Sequence, residues 1–389
     1  MSQQLAYVII TPYSLHKSRT GGILSRLISR SGLDLVAARM FSPGAELVRE
    51  YSETIVSADD LHDRKIQEMI REYVKKNLSP EASTGRRRRV MMLLFRGEDA
   101  VRKVRSVVGH IGPDRRGESI RDTYGDMVLD ENGEVRYFEP AVLAAPSMTE
   151  TDEKLKLWAK YSDSDGGLLE NTIAYQPGET PERTLVLIKP DNFRFATGRP
   201  GNVIDFFSRT GLYIVAIKVH RMTVAEASEF YGPVREVLRT KLKDVVAAKS
   251  KAAIEKELGF TLPAETVTQL GETLGPIFGD NQFDNIVRFM AGRAPSECPP
   301  GEMDLPGTEK CIALVYEGVG AVSKIRDVLG PTDPSKAPPG SIRREFGSSI
   351  MVNAAHASDS VDSAKREFGI VKPADNNFRR VVEAHYGGK

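Results

Sequence analysis

The segment "VNAAHASDSVDSAKREF", residues 352–368, sets one of the chain's six histidines among small residues. A Ser-Asp-Ser cluster follows His356 almost directly, and Glu367 stands eleven positions further on. An imidazole can attack as a nucleophile or move a proton when one ring nitrogen is neutral and the other donates to a fixed acceptor. Hydroxyls and carboxylates this close raise the question of which group fixes the ring. The plain alternative is a histidine satisfied in the core.

The elements that must hold this segment occur twice along the chain. "ISRSGLDLVAAR" (28–39) matches "FSRTGLYIVAIK" (207–218), "GEDAVRKVRSVVG" (97–109) matches "GVGAVSKIRDVLG" (318–330), and "GESIRDTYG" (117–125) matches "GSIRREFG" (340–347). Three collinear matches indicate a duplication, the second copy carrying roughly forty extra residues. We expect two homologous domains, 1–148 and 183–389, joined by residues 149–182, a polar stretch that reads equally as a loose linker or a packed connector. In the second copy "RTLVLIK", "YIVAIKVHR" and "EKCIALVYEG" read as strands. "GNVIDFFSRTG", "GAVSKIRDVLG" and "SVDSAKREFG" read as helices, and "TVAEASEFYGP" has a Thr N-cap before a helical pattern. The order βαββαβ predicts an α/β (α+β) chain of two ferredoxin-like sandwich domains with antiparallel sheets, the second carrying a helical insertion at about 233–280.

Composition narrows the class. Apolar residues at 40% and charged ones at 28% are a folded, soluble balance. Lys and Arg total 54 against 53 Asp and Glu, which argues against a nucleic-acid or acidic-lipid partner. No apolar stretch has membrane-spanning length and no leader pattern opens the sequence, so the expectation is cytoplasmic. Cys298 and Cys311 suit a reducing compartment, with a bridge between them the lesser alternative.

Taken in order, "RTLVLIKPD", "FSRTGLYIVAIKVHRMT", "ALVYEG", "IRDVLGPTDPSKAPPGSIRREF" and "NAAHASDSVDSAKREF" closely resemble the nucleoside diphosphate kinase family. The resemblance implies a phosphohistidine mechanism. His356 would take the γ-phosphate of a nucleoside triphosphate and pass it to a nucleoside diphosphate. Glu367, on a helix expected to begin near Ser360, resembles the acceptor for the ring hydrogen, with Ser358 bridging nearby. Lys189 resembles the lysine that reaches the phosphates and ribose, and Arg326 and Arg343 the phosphate-binding arginines, whose planar forks suit bidentate contacts. Thr332 would add a hydroxyl, Tyr231 would sit beside the imidazole and Asn353 would bind the sugar. Taken singly, each of these has an ordinary structural reading. Mg2+ is expected to travel with the nucleotide.

The pattern also departs from the family. The insertion reads as two amphipathic helices where the family has the arm over the base. The stacking aromatic comes out near Gln282 or Phe283. In the first copy Thr11 replaces the lysine, and Ala144 falls near the histidine position, so that copy reads as a pseudo-domain despite keeping Arg105 and Arg121. Those arginines allow residual anion binding there. "GRRRRV" (85–90) reads as a solvated loop, with phosphate or nucleic-acid contact the lesser reading. Family members associate as dimers and hexamers, so the pseudo-domain would replace one subunit in an intramolecular pseudo-dimer. The alternative function is a catalytically weak nucleotide-binding or scaffolding pseudokinase.

Overall fold

The computed structural model describes residues 3–58, 64–112 and 117–387. Contacts divide them into two units. The first runs to Val219 and includes Ile312–Phe368 and the chain from Lys372 onward; the second comprises His220–Cys311 and Gly369–Val371.

Two four-stranded antiparallel sheets organise the repeats. Strands β1 (Gln3–Ile10), β2 (Asp34–Phe41) and β3 (Val90–Glu98) form the first sheet with β6 (Val142–Leu143), in the order β2-β3-β1-β6. Between β3 and β6, strands β4 (Asp126–Leu129) and β5 (Val135–Glu139) pair as a separate ribbon. Strands β7 (Pro181–Ile188), β8 (Tyr213–His220), β9 (Cys311–Val319) and β10 (Ala355–Ala357) form the second sheet, in the order β10-β7-β9-β8. Both sheets follow one plan: the last strand lies beside the first, and the third sits between the first and the second. With helices Thr20–Ser31 and Ala100–Val108 in one copy, and Arg199–Phe207 and Ala321–Leu329 in the other, this is the expected βαββαβ sandwich, built twice.

The two copies meet at their first helices. A β-carbon added at Gly201 would fall 2.2 Å from the Gly21 carbonyl oxygen, and one at Gly21 would fall 2.5 Å from the Gly201 oxygen. Only glycine permits backbones this close. Gly201→Ala should therefore push the helices apart and cost about 1–3 kcal/mol, read as a lower urea midpoint for the variant.

Within residues 149–182 the part up to Leu169 packs on the sheets, and 170–180 is mostly exposed. Ser147 caps a helix, Met148–Lys160, whose Trp158 is fully buried, 4.9 Å from the Phe41 ring and 5.3 Å from Tyr51. Past that helix the backbone ties both sheet edges together. Gly167 N donates to Met40 O (2.9 Å) on β2, and Leu169 N donates to Val215 O (2.9 Å) on β8. The arginine run serves the same junction. Arg87 pairs with Asp165 at 2.9 Å, while Arg89 donates to Ile214 O at 2.7 Å and lies over the Tyr213 ring. Helix Asn377–Tyr386 closes the unit, with Phe378 placed 5.6 Å from Phe41.

The second unit holds three helices, Val224–Lys241, Lys243–Leu258 and Ala264–Ala291, the first of them running from the capped stretch through Pro233 into the insertion. Thr223 and Glu226 form a capping box, and the helix then runs straight through Pro233. A proline removes one helical hydrogen bond. Packing against Ala264–Ala291 offsets that loss, with Arg235 and Arg239 both bound to Asp280 at 2.8–3.0 Å. Cys298 and Cys311 are free thiols.

Candidate active site

The register of the second sheet sets the site. His356 on β10 pairs with Leu187 on β7, and Lys189 follows β7 by one residue, so imidazole and ammonium emerge at one end of neighbouring strands. Ala354, just before β10, has φ 70°, a conformation that disfavours a β-carbon. Two donors hold its carbonyl: Lys189 N at 2.9 Å and Asn192 Nδ2 at 2.7 Å. Strain of this kind persists only where its surroundings over-determine it.

Helix Val361–Val371 begins where expected, its N-cap Ser360 accepting from Ser363 N. It returns Glu367 to the imidazole, with Nε2 of His356 3.0 Å from Glu367 Oε1. The Ser358 hydroxyl donates to the other carboxylate oxygen at 2.6 Å and accepts from Leu185 N at 3.3 Å. Glu367 is buried, so its carboxyl oxygens are met by these named groups rather than by water. A neutral ring that donates Nε2–H to this carboxylate carries its lone pair on Nδ1, the tautomer a nucleophile needs.

Lys189 and Arg343 belong to one connected network. Lys189 Nζ donates to Asn353 Oδ1 at 2.9 Å and to Met351 O, and Asn353 Nδ2 donates to Thr332 O at 3.1 Å. Arg343 reaches the Thr332 hydroxyl (3.4 Å), Gly330 O (3.0 Å) and Ala355 O (3.2 Å), which fixes it beside the His356 backbone. Arg326 lies exposed on helix Ala321–Leu329. The Ser363 hydroxyl, and further off the Arg326 charge, keep the Asp359 carboxyl below its ordinary range. Sequence reasoning passed over the residues behind Lys189. Arg199 bridges Asp191 at 2.9 Å and Asn192 Oδ1 at 3.0 Å, bracing the turn that carries the lysine. The signal was present in "IKPDN", where two polar residues directly follow the Lys-Pro pair.

Burial, opposed by Asp191 and reinforced by Arg343, pushes the Lys189 ammonium down to about 8. The ammonium is charged below that pH and neutral above it. Affinity for a phosphate bound at Lys189 should therefore fall as pH rises from 7 to 9. Stability should move the opposite way. Between the folded value of about 8 and the ordinary 10.5, the unfolded chain holds the extra proton, so stability rises with pH. Titrating ADP into the protein across this range checks the first trend, and Lys189→Arg should flatten it.

Two expected site residues belong to the other unit. Tyr231 stands on helix Val224–Lys241 with its ring 5.0 Å from Phe230. Phe283 is buried within helix Ala264–Ala291 under the Arg235 guanidinium, 5.4 Å from the ring centroid. Its ring packs inside the helical unit, and Gln282 beside it is partly exposed.

The first copy keeps the frame and lacks the chemistry. Ala141 repeats the left-handed alanine with φ 61°, and Arg121 donates to Gly109 O (2.9 Å) and Val142 O (3.4 Å), as Arg343 does in the second copy. Strand pairing sets Leu143 opposite Ile9, so Leu143, not Ala144, holds the register of His356. Thr11, in place of the lysine, donates to the buried Glu139 carboxylate at 2.9 Å. The cavity beside Arg105, Arg121 and Leu143 holds about 30 Å³, and Lys154 of the connector reaches into it. That is room for a water or two, so these arginines serve the backbone rather than an anion.

This arrangement of imidazole, carboxylate and cationic groups sits on a duplicated ferredoxin-like frame, and comparison with known proteins gives the family. A model described as "Nucleoside diphosphate kinase" matches residues 182–255 and 305–376. The chain belongs to the nucleoside diphosphate kinase family. It is 32% identical to a nucleoside diphosphate kinase of Staphylothermus marinus over 190 residues, 49% of this chain and 92% of that one. It is 32% identical to one of Wolinella succinogenes over 186 residues, 48% of this chain and 91% of the relative. The solved NDP kinase of Pyrobaculum aerophilum is 27% identical and covers 50% of this chain and 99% of its own, with a TM-score of 0.33.

Proposed function

We propose that the chain transfers the γ-phosphoryl group of a nucleoside triphosphate to a nucleoside diphosphate through a phosphohistidine on His356. The hydrogen bond of Nε2 to Glu367 carries this reading, because it leaves Nδ1 as the attacking atom. The N–P bond forms as the bond from the γ-phosphorus to the bridging oxygen breaks, and the nucleoside diphosphate leaves with that electron pair. A second diphosphate then attacks the phosphorus and restores the imidazole. Lys189, Arg343, Arg326 and the Thr332 hydroxyl supply the positive groups on which such a transfer depends. Asn353 orients the lysine and is placed to meet the sugar, Tyr231 would complete the imidazole's surroundings, and Phe283 would act only through the fold of its own unit. Magnesium belongs to this reading as part of the nucleotide substrate, bound to its phosphates.

The first copy replaces one subunit of a dimer in this reading, which the Gly21–Gly201 crossing supports. The pseudo-dimer can associate further into a homo-oligomer. Among the described residues no helix is long and apolar enough to cross a membrane, and we assign the protein to the cytoplasm. A scaffolding pseudokinase is the second reading, favoured by the burial of Phe283 within its own helical unit. Incubation with γ-labelled ATP separates the two. The kinase acquires acid-labile, base-stable label and releases it to added GDP, whereas the scaffold stays unlabelled.

A further inference from the structure

Of the four arginines at 86–89, the junction described above uses Arg87 and Arg89, and Arg86 lies 3.6 Å from Glu81. Side chains alternate along an extended run, so Arg88 faces away from the two junction arginines. It lines a cleft of about 540 Å³ on the N-terminal copy, which no step of the proposed reaction uses. Arg88 makes no hydrogen bond or ion pair among the described residues, and its Nε is buried without a partner. Arg136 and Lys76 line the same cleft, equally without partners among the described residues, and His16 stands at its wall.

The acids in the cleft are already engaged. Glu139 accepts from Thr11, from Tyr73 at 2.7 Å and from Ala141 N at 3.0 Å, while Glu72 accepts from Lys75 at 2.9 Å. The uncommitted charge is therefore positive, and it lies beside aromatic walls. Tyr137 is 44% exposed, and Tyr13 lines the cleft with it. Counted from the left-handed alanines, Tyr137 occupies the place of Ile350 in the second copy, which is 62% exposed beside Lys189 and Asn353. Pro12 likewise answers to Pro190. The cleft shares Pro12 with that end of the first copy but not Arg105, Arg121 or Leu143, which line the smaller cavity.

We infer that this cleft is a second, non-transferring site for a nucleoside mono- or diphosphate, its ring against Tyr137 and its phosphate on Arg88, Arg136 and Lys76. The volume falls in the range of small-molecule sites. Planar guanidinium forks suit a phosphate, and a tyrosine face accepts any base. Leu143 and Thr11 stand in the histidine and lysine registers, so the first copy has no counterpart of His356 with which to transfer the phosphate.

Equilibrium dialysis of the full chain against labelled ADP tests this, with phosphorylation of His356 by ATP as a separate readout. We expect two ADP per chain in the parent protein. Arg88→Ala/Arg136→Ala should weaken one of them at least about tenfold and leave His356 labelling intact. Tyr137→Ala, a change at an exposed side chain, should weaken the same site without altering the melting curve. Arg343→Ala should impair the other site only. ADP binding unchanged in both cleft variants overturns the inference. So does a single ADP per parent chain that Arg343→Ala abolishes. A single ADP lost in the cleft variants and retained in Arg343→Ala supports the inference and counts against the kinase reading instead.

Discussion

His356→Ala should take up no label from γ-labelled ATP and should lose transfer to a diphosphate by at least about four orders of magnitude. The expectation rests on how completely the surroundings are committed to this one ring. Glu367 is buried and directs one oxygen to Nε2, while its second oxygen is held by Ser358, itself fixed to the β7 backbone. Removing the imidazole leaves this apparatus with nothing to orient. Lys189, Arg343 and Thr332 are bonded to other partners and remain in place, so ADP should still bind the variant. Loss of labelling together with retained ADP affinity, measured on the same preparation, is the expected pair of results. Label that survives in the variant would remove His356 from the chemistry.

Trp158→Ala should be the most damaging change far from the site, costing about 3–5 kcal/mol in the urea-unfolding transition of the first unit. Trp158 is fully buried, edge-on to Phe41 and Tyr51, in a cluster that also takes in Leu155, Val74 and Phe378. Its truncation leaves a cavity where the connector, the first sheet and the last helix meet. Because this core supports the copy that has no counterpart of His356, its loss separates two ideas about that copy. If the N-terminal copy props the C-terminal one through the Gly21–Gly201 crossing, His356 labelling should decline at the temperature where the variant's first unit loosens. Labelling that outlasts the loosening would mean the catalytic copy stands alone.

Much of this arrangement could be read from the chain because its determinants are local or duplicated. The repeat showed itself in glycines and apolar spacing that each copy needs for its own helices. His356, Ser358 and Glu367 fall within one strand-to-helix connection, and Lys189 is tied to them by a single strand pairing. What escaped notice depends on distant parts of the chain. Nothing near Phe283 reveals that Arg235, on another helix, will cover its ring. Nor does the sequence reveal that the helix begun at Val224 continues through Pro233, which packing on Ala264–Ala291 permits. The histidine register of the first copy was misjudged by one residue because the β4–β5 ribbon gives that copy a different path into its last strand. The packed connector depended on one tryptophan whose partners lie on β2 and the helix that follows it.

The aromatic core of the N-terminal copy includes Phe378 and Val382 as well as residues as early as Leu5. Arg39 on β2 also donates to the carbonyls of Ala374 (3.1 Å) and Asp375 (3.0 Å). The N-terminal copy therefore lacks part of its own interior until translation reaches helix Asn377–Tyr386. Through most of synthesis, Phe41 is without one of its ring partners, an exposure of apolar surface that invites chaperone binding. A stop codon shortly before residue 377 would accordingly harm the part of the protein made first.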